Sequence, residues 1–168
     1  VVVVNYMAIA DALAAAPLAY QKNAPILLTK PNELPAEIEK KIRDLGASNV
    51  YIVGGPGSVS VNVENKLKSI VGYVERIGGK DRFEVAQLVA GWIGNPTSAI
   101  VTNGLVFSDA LAIAPYAARN QIPILLTHNN NLPDSTRAAL QGKSSTLVIG
   151  GEGSVNGNVY NQLANPSR

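Results

Sequence analysis

Three cationic side chains, Arg76, Lys80 and Arg82, flank Gly78-Gly79 in the run RIGGKDR. Charged residues make up only 15% of the chain, against roughly 25% in a typical soluble domain, so this cluster stands out. Guanidinium groups grip phosphate or carboxylate with two parallel hydrogen bonds, and the chemistry on offer is anion binding. The same Arg82 can instead pair with Asp81, Glu84 or Asp109 to fix a helix or join two modules. A second candidate is the glycine loop Gly54-Gly55-Pro56-Gly57-Ser58, echoed by Gly150-Gly151-Glu152-Gly153-Ser154. Glycines after a strand let backbone amides converge on an anion at a helix start. The spacing is neither a dinucleotide fingerprint nor a Walker A, which needs Lys followed by Ser or Thr, and a tight structural turn competes with the anion cradle. Asp11 and Asp109 complete the set. As acid or base groups they would need a partner at defined separation, whereas capping a helix with their carboxylates requires nothing further.

Other chemistry is excluded. His128 is the only histidine, and the position related to it by the repeat described below, 128 − 98 = 30, is Lys30; a catalytic histidine shared by both copies is therefore ruled out. With no cysteine there is no thiolate, disulfide or Cys-ligated metal, and a zinc site would need unusual all-carboxylate ligation. No catalytic residue, metal or cofactor is expected. A net charge of +2 is too small for the basic field with which general nucleic-acid binders neutralise phosphates. Trp92 is expected to pack in the core, and the six tyrosines show no regular spacing for stacking on sugars.

The elements that position these residues come in two copies. DALAAAPLAYQKNAPILLT from Asp11 returns as DALAIAPYAARNQIPILLT from Asp109, an offset of 109 − 11 = 98 that falls to 150 − 54 = 96 at the glycine loops. A self-match at fixed period marks a duplicated structural unit. We divide the chain into a first repeat, 1–72, lacking an N-terminal helix, and a second, 73–168. In each, a β-branched strand (Val1–Val4; Ala99–Thr102) leads to an apolar helix opened by Asp11 or Asp109, with Pro17 or Pro115 inside. Pro25–Thr29 and Pro123–Thr127 read as the next central strands. Pro35 then starts an amphipathic helix with Ile38, Ile42 and Leu45 on one face and Gly46 at its end. Val50–Val53 and Leu147–Ile149 run into the glycine loops. Tyr73–Ile77 is a further strand, and Asp81 caps a helix ended by Gly94-Asn95-Pro96, with Glu84 reaching back as in a capping box. Strands alternating with helices give an α/β fold of tandem doubly wound modules, their parallel sheets flanked by helices and their sites at the carboxyl ends of strands. The apolar first twenty residues suggest a signal peptide or membrane span, but Asn5, Asp11 and Pro17 interrupt them and their second copy lies mid-chain, so no membrane insertion is expected. Val1 reads as a cut into a longer polypeptide.

DALAAAPLA, APILLT, LP, VYIVGGPGSVS and RIGGKDRFEVA, in that order, resemble the clostridial-type cell-wall-binding repeat of the second kind, found in Gram-positive surface and S-layer-associated proteins. The resemblance covers nearly the whole chain. It implies an extracellular, non-catalytic module that holds its protein to an anionic polysaccharide of the wall, beside an effector domain elsewhere. The candidate ligand-binding set, drawn from the residue chemistry above, is Arg76, Lys80, Arg82, Gly54, Gly55, Gly57, Ser58, Gly150, Gly151, Gly153, Ser154, Asp11 and Asp109. The alternative is an α/β enzyme or a nucleotide- or phosphate-binding domain using the Gly-Gly-x-Gly-Ser loops. The family pattern is three packed repeats; here the RIGG-DR helix has no counterpart before Val1 and no third copy follows Arg168, so self-association or packing with further repeats is expected. Asn103-Gly104 stands where the first repeat has Asn5-Tyr6, and Phe83-Glu84-Val85-Ala86 where an aromatic followed by Glu-Thr-Ala is more usual.

Overall fold

A computed structural model describes residues 1–94 and 96–164. The β-branched runs form β1 (Val2–Asn5) and β5 (Ser98–Asn103), and the duplicated apolar segments form α1 (Ile9–Gln21) and α5 (Phe107–Asn120). After them come β2 (Ile26–Thr29), α2 (Ala36–Asp44), β3 (Asn49–Val53), α3 (Val61–Lys68), β4 (Tyr73–Ile77) and α4 (Arg82–Trp92). The second copy continues with β6 (Ile124–Thr127), α6 (Asp134–Leu140), β7 (Ser145–Ile149) and α7 (Gly157–Ala164). Every strand pairing is parallel, in one sheet ordered β2-β1-β3-β4 and another ordered β6-β5-β7.

The two ILLT strands, expected to be central, are edge strands. In each sheet the first strand has its partners on opposite sides: the crossover through the apolar helix lays one neighbour down, and the next crossover returns to the other flank. The centre is therefore taken by β1 and β5, whose side chains are buried on both faces. Val3 points into a cluster with Ile42, Ile52, Val63 and Leu67 beneath α2 and α3, while Val2 and Val4 join Leu18, Val53, Ile77, Val85 and Val89 beneath α1 and α4. Strand β4, which the sequence division places at the head of the second repeat, hydrogen-bonds to β3 and extends the first sheet.

A third cluster joins the two copies. Alanines of α1 (Ala10, Ala14) and α5 (Ala110, Ala114, Ala117) meet with Leu13, Phe83, Ile124 and Leu126. Small side chains let the two helices approach closely, and the interdigitated contact is dense enough to bury them. Helix α4 packs on α1, on α6 and on β6, spanning from one sheet to the other. Its start follows the sequence reading: Asp81 accepts from the amides of Phe83 and Glu84, both at 2.9 Å. The Glu84 carboxylate reaches back to the Lys80 amide at 2.7 Å, one residue before the position of an ideal capping box. Of the expected Gly94-Asn95-Pro96 stop, Asn95 lies outside the described residues; Gly94 adopts φ +96°.

Helices α1 and α5 open differently from expectation. Ala8 and Val106 occupy the cap positions without any side-chain cap, and Asp11 and Asp109 lie inside the first turn. Their carboxylates are turned elsewhere.

Candidate functional site

At the carboxyl ends of the first sheet's strands lies a cavity of about 460 Å³ lined by Asp11, Gly55, Gly57, Ser58, Lys80 and Arg82, with Met7, Ile9 and Phe107 on its apolar side. Each polar member is placed by a strand-to-helix turn. The Asp11 side chain folds over the glycine loop and is only 6% exposed. Burial pushes its carboxyl up to about 6, opposed by the nearby Arg82 charge and, more weakly, by the Ser58 hydroxyl. Ser58 Oγ is buried and faces that carboxyl without the alignment of a full hydrogen bond. In the second copy the same pair is closed: Ser154 Oγ donates to Asp109 Oδ2 at 2.8 Å.

Glycine is required beneath these carboxylates. Gly54 and Gly150 have φ of +125° and +140°, and a Cβ at Gly54 would stand 3.1 Å from both Asp11 Oδ2 and Ser58 Oγ. Beside it the two glycine pairs interlock, since a Cβ on Gly55 would come within 2.6 Å of the Gly79 carbonyl oxygen. The loop is a turn. Ser58 and Val59 amides both donate to the Gly55 carbonyl, Ser154 and Val155 repeat this with Gly151, and α3 begins only after Ser60, whose Oγ accepts from Val63. The Ser58 and Val59 amides, which a phosphate cradle would need, are thus spent on the turn itself.

The three cations separate by role. Arg76 lies outside the cavity with its side chain 15% exposed: it bridges Glu64 at 2.7 Å and donates to the Gly54 carbonyl at 2.9 Å. Lys68 and Arg76 together hold the Glu64 carboxyl below its usual range. Arg76 therefore props the glycine loop from behind. Arg82 lines the cavity and donates to the Gly104 carbonyl at 2.7 Å, tying α4 to the second copy. Lys80 is exposed at the rim. Gly150, Gly151, Gly153 and Ser154 form a separate loop against Asp109 of α5, and its three glycines face solvent.

Two residues that hold both loops were not singled out from sequence. Asn5 Nδ2 donates to the Ser58 carbonyl at 2.9 Å, and its Oδ1 accepts from the Met7 amide. Asn103 does the same with Ser154 at 2.6 Å and with Leu105. Their signal was available, since 103 − 5 is the repeat offset of 98. The change from Tyr6 to Gly104 also acquires a reason: a Cβ at Gly104 would stand 3.0 Å from Phe83 and 3.2 Å from Leu126, because α4 presses on this turn, whereas Tyr6 is exposed. His128 stacks tilted on Phe83 with ring centroids 4.4 Å apart. Trp92, expected in the core, is 37% exposed; the indole packs against Tyr51 of β3 and leaves part of its surface in solvent.

Two stretches, residues 2–64 and 76–160, match the family described as Cell wall binding domain 2. The chain is 42% identical to N-acetylmuramoyl-L-alanine amidase LytC of Bacillus subtilis (strain 168) over 99% of its own length and 34% of that protein's. It is 43% identical to the amidase enhancer of the same organism, again over 99% of its length and 23% of the relative's. Cwp8 from Clostridium difficile has a similar structure, with a TM-score of 0.88 at 40% identity over 99% of this chain and 29% of that one. Cwp6 from the same species gives 0.89 at 34% identity over 97% and 27%. The chain thus spans about a third or less of each relative.

Proposed function

The chain belongs to the Cell wall binding domain 2 family, and from that membership and the cavity we infer that it is a non-catalytic module retaining its protein on an anionic polysaccharide of a Gram-positive wall. One observation carries the choice of an anionic ligand. Lys80 and Arg82 converge on an open cavity at the carboxyl ends of the strands, where α/β sheets take their ligands, and Lys80 is free to meet a polymer from solvent. The enzyme reading is disfavoured by the same site, since Asp11 faces a serine and an arginine and the cavity lining holds no histidine. The phosphate-loop reading is disfavoured because the Ser58 and Val59 amides are already engaged within the turn and the Asp11 carboxylate stands over it.

Pelleting with purified walls, before and after removal of their secondary polymers, tests the proposal. Retention should be lost on stripped peptidoglycan and should weaken as salt rises, because exposed charge is screened over about 8 to 10 Å at ordinary ionic strength. Lys80→Ala should lower retention without moving the thermal midpoint. Equal pelleting on bare peptidoglycan would overturn the reading.

We propose in addition that the outer face of α5 is covered in the assembled state by a further repeat or a second copy of the chain. Leu111 and Tyr116 of α5 are 65% and 51% exposed, and Leu105 in the turn before it is 56% exposed; exposed apolar surface of this kind marks an interface. Light scattering during gel filtration at micromolar concentration should give more than the 17.6 kDa of one chain. A monodisperse species of that mass would remove the claim.

A further inference from the structure

At the opposite end of the first module, away from the cavity, three of the chain's aromatic residues come together although they lie far apart in sequence. Tyr51 of β3 packs edge-on against Tyr73 of β4, with centroids 6.3 Å apart, and against Trp92 of α4 at 5.8 Å. Tyr73 stays 43% exposed and Trp92 37%. The Tyr73 hydroxyl donates to Glu75 at 3.0 Å, which fixes that ring. Lys22 holds its ammonium 5.5 Å from the Tyr51 centroid. Beside Tyr51 a cavity of about 300 Å³ is edged by Lys22, Asn23, Ser48 and Asn49, and all four are exposed. The second module has no such cluster among its described residues: the position matching Tyr51, 51 + 96 = 147, is Leu147.

Aromatic rings left in solvent beside amide, hydroxyl and ammonium groups suit a ligand that is apolar on one face and polar around its rim. A pyranose has that shape, with axial C–H bonds for the ring and equatorial hydroxyls for hydrogen bonds to donors such as Asn23, Ser48 and Lys22. A quaternary ammonium ligand fits worse, because Lys22 already occupies the cation position over Tyr51 and would repel a second charge. We propose that the Tyr51–Tyr73–Trp92 cluster is a carbohydrate-stacking subsite that contacts a sugar ring of the wall polymer independently of the Lys80–Arg82 cavity. Only its choice of ligand class rests on the wall-binding reading.

Trp92 is the only tryptophan, so its fluorescence reports this site alone. Titration with triacetylchitotriose and with a linear glucose oligomer should give a saturable shift of Trp92 emission with at least one of them, and sodium phosphate should give none. Tyr73→Ala, which keeps the reporter, should abolish the shift and weaken wall retention roughly tenfold, the loss expected for one aromatic anchor. If Tyr73→Ala proves unstable, Lys22→Ala at an exposed position should weaken the shift with an unchanged thermal midpoint. Trp92 emission silent to both sugars, while native protein still pellets with walls, overturns the subsite and leaves the anionic site standing. A sugar response in protein that fails to pellet does the reverse.

Discussion

The tetrapeptide Ile-Leu-Leu-Thr occurs twice, as β2 and as β6, in the same place in the same motif. Its burial differs completely. All four residues of β6 are buried and Leu126 is 1% exposed, whereas only Thr29 of β2 is buried and Leu28 is 49% exposed. Both are edge strands paired to a central neighbour in the same register. What differs is α4, which lies across β6 and α6 and has no counterpart over β2 and α2 among the described residues. The glycine loops show the converse: Gly55 is pressed against Gly79 from the RIGG segment, while nothing stands within 4 Å of a Cβ placed on Gly151. Among the described residues, one segment thus completes both repeats: its glycines press on the first loop and its helix covers the second ILLT strand.

Truncating the paired leucines should break that equality most sharply. Leu126→Ala should cost about 2 to 5 kcal/mol, as for a fully buried leucine, while Leu28→Ala should stay within about 0.5 to 1 kcal/mol because half its surface already meets water. Urea denaturation at constant slope reads both values, and equal costs would mean that β2 is covered in solution.

Arg76→Ala comes next. It should destabilise by about 1 to 3 kcal/mol, since it leaves the Gly54 carbonyl without its donor and Glu64 with Lys68 alone. Lys80→Ala should be nearly neutral in the same thermal melt. An Arg76→Ala protein with native stability and lost wall binding would return Arg76 to the ligand site.

A further effect depends on pH and vanishes in acid. The Asp11 carboxyl titrates at about 6 when folded and near 3.8 in the unfolded chain, so between those values the native state binds more protons than the unfolded one and stability falls as pH rises. Asp11→Asn removes the cost of ionising a buried carboxyl. Its stability relative to the native sequence should therefore improve through this window, reaching about 3 kcal/mol above pH 7 and vanishing below about pH 4. A difference independent of pH would show that Asp11 does not titrate there.

The sequence by itself determined the duplication, the α/β alternation and the identity of the turns. These are local matters: β-branched runs, glycines at positive φ and the Asp81 cap act within a few residues of themselves, so their spacing is enough to read them. It also brought forward Lys80, Arg82, Asp11 and Ser58, which the fold gathers around one cavity. Only tertiary structure decided which ILLT strand is buried, because that depends on where α4 lands. The same holds for Arg76, whose partner Glu64 and carbonyl acceptor Gly54 lie in other segments, and for Trp92, left part-exposed against Tyr51 of β3. Asp11 is the clearest instance: its type and position suggest a cap, but the packing of a glycine turn beneath it takes the carboxyl out of water and turns it toward Ser58 and Arg82. Burial and long-range pairing are set by the whole sheet, and no window of sequence contains them.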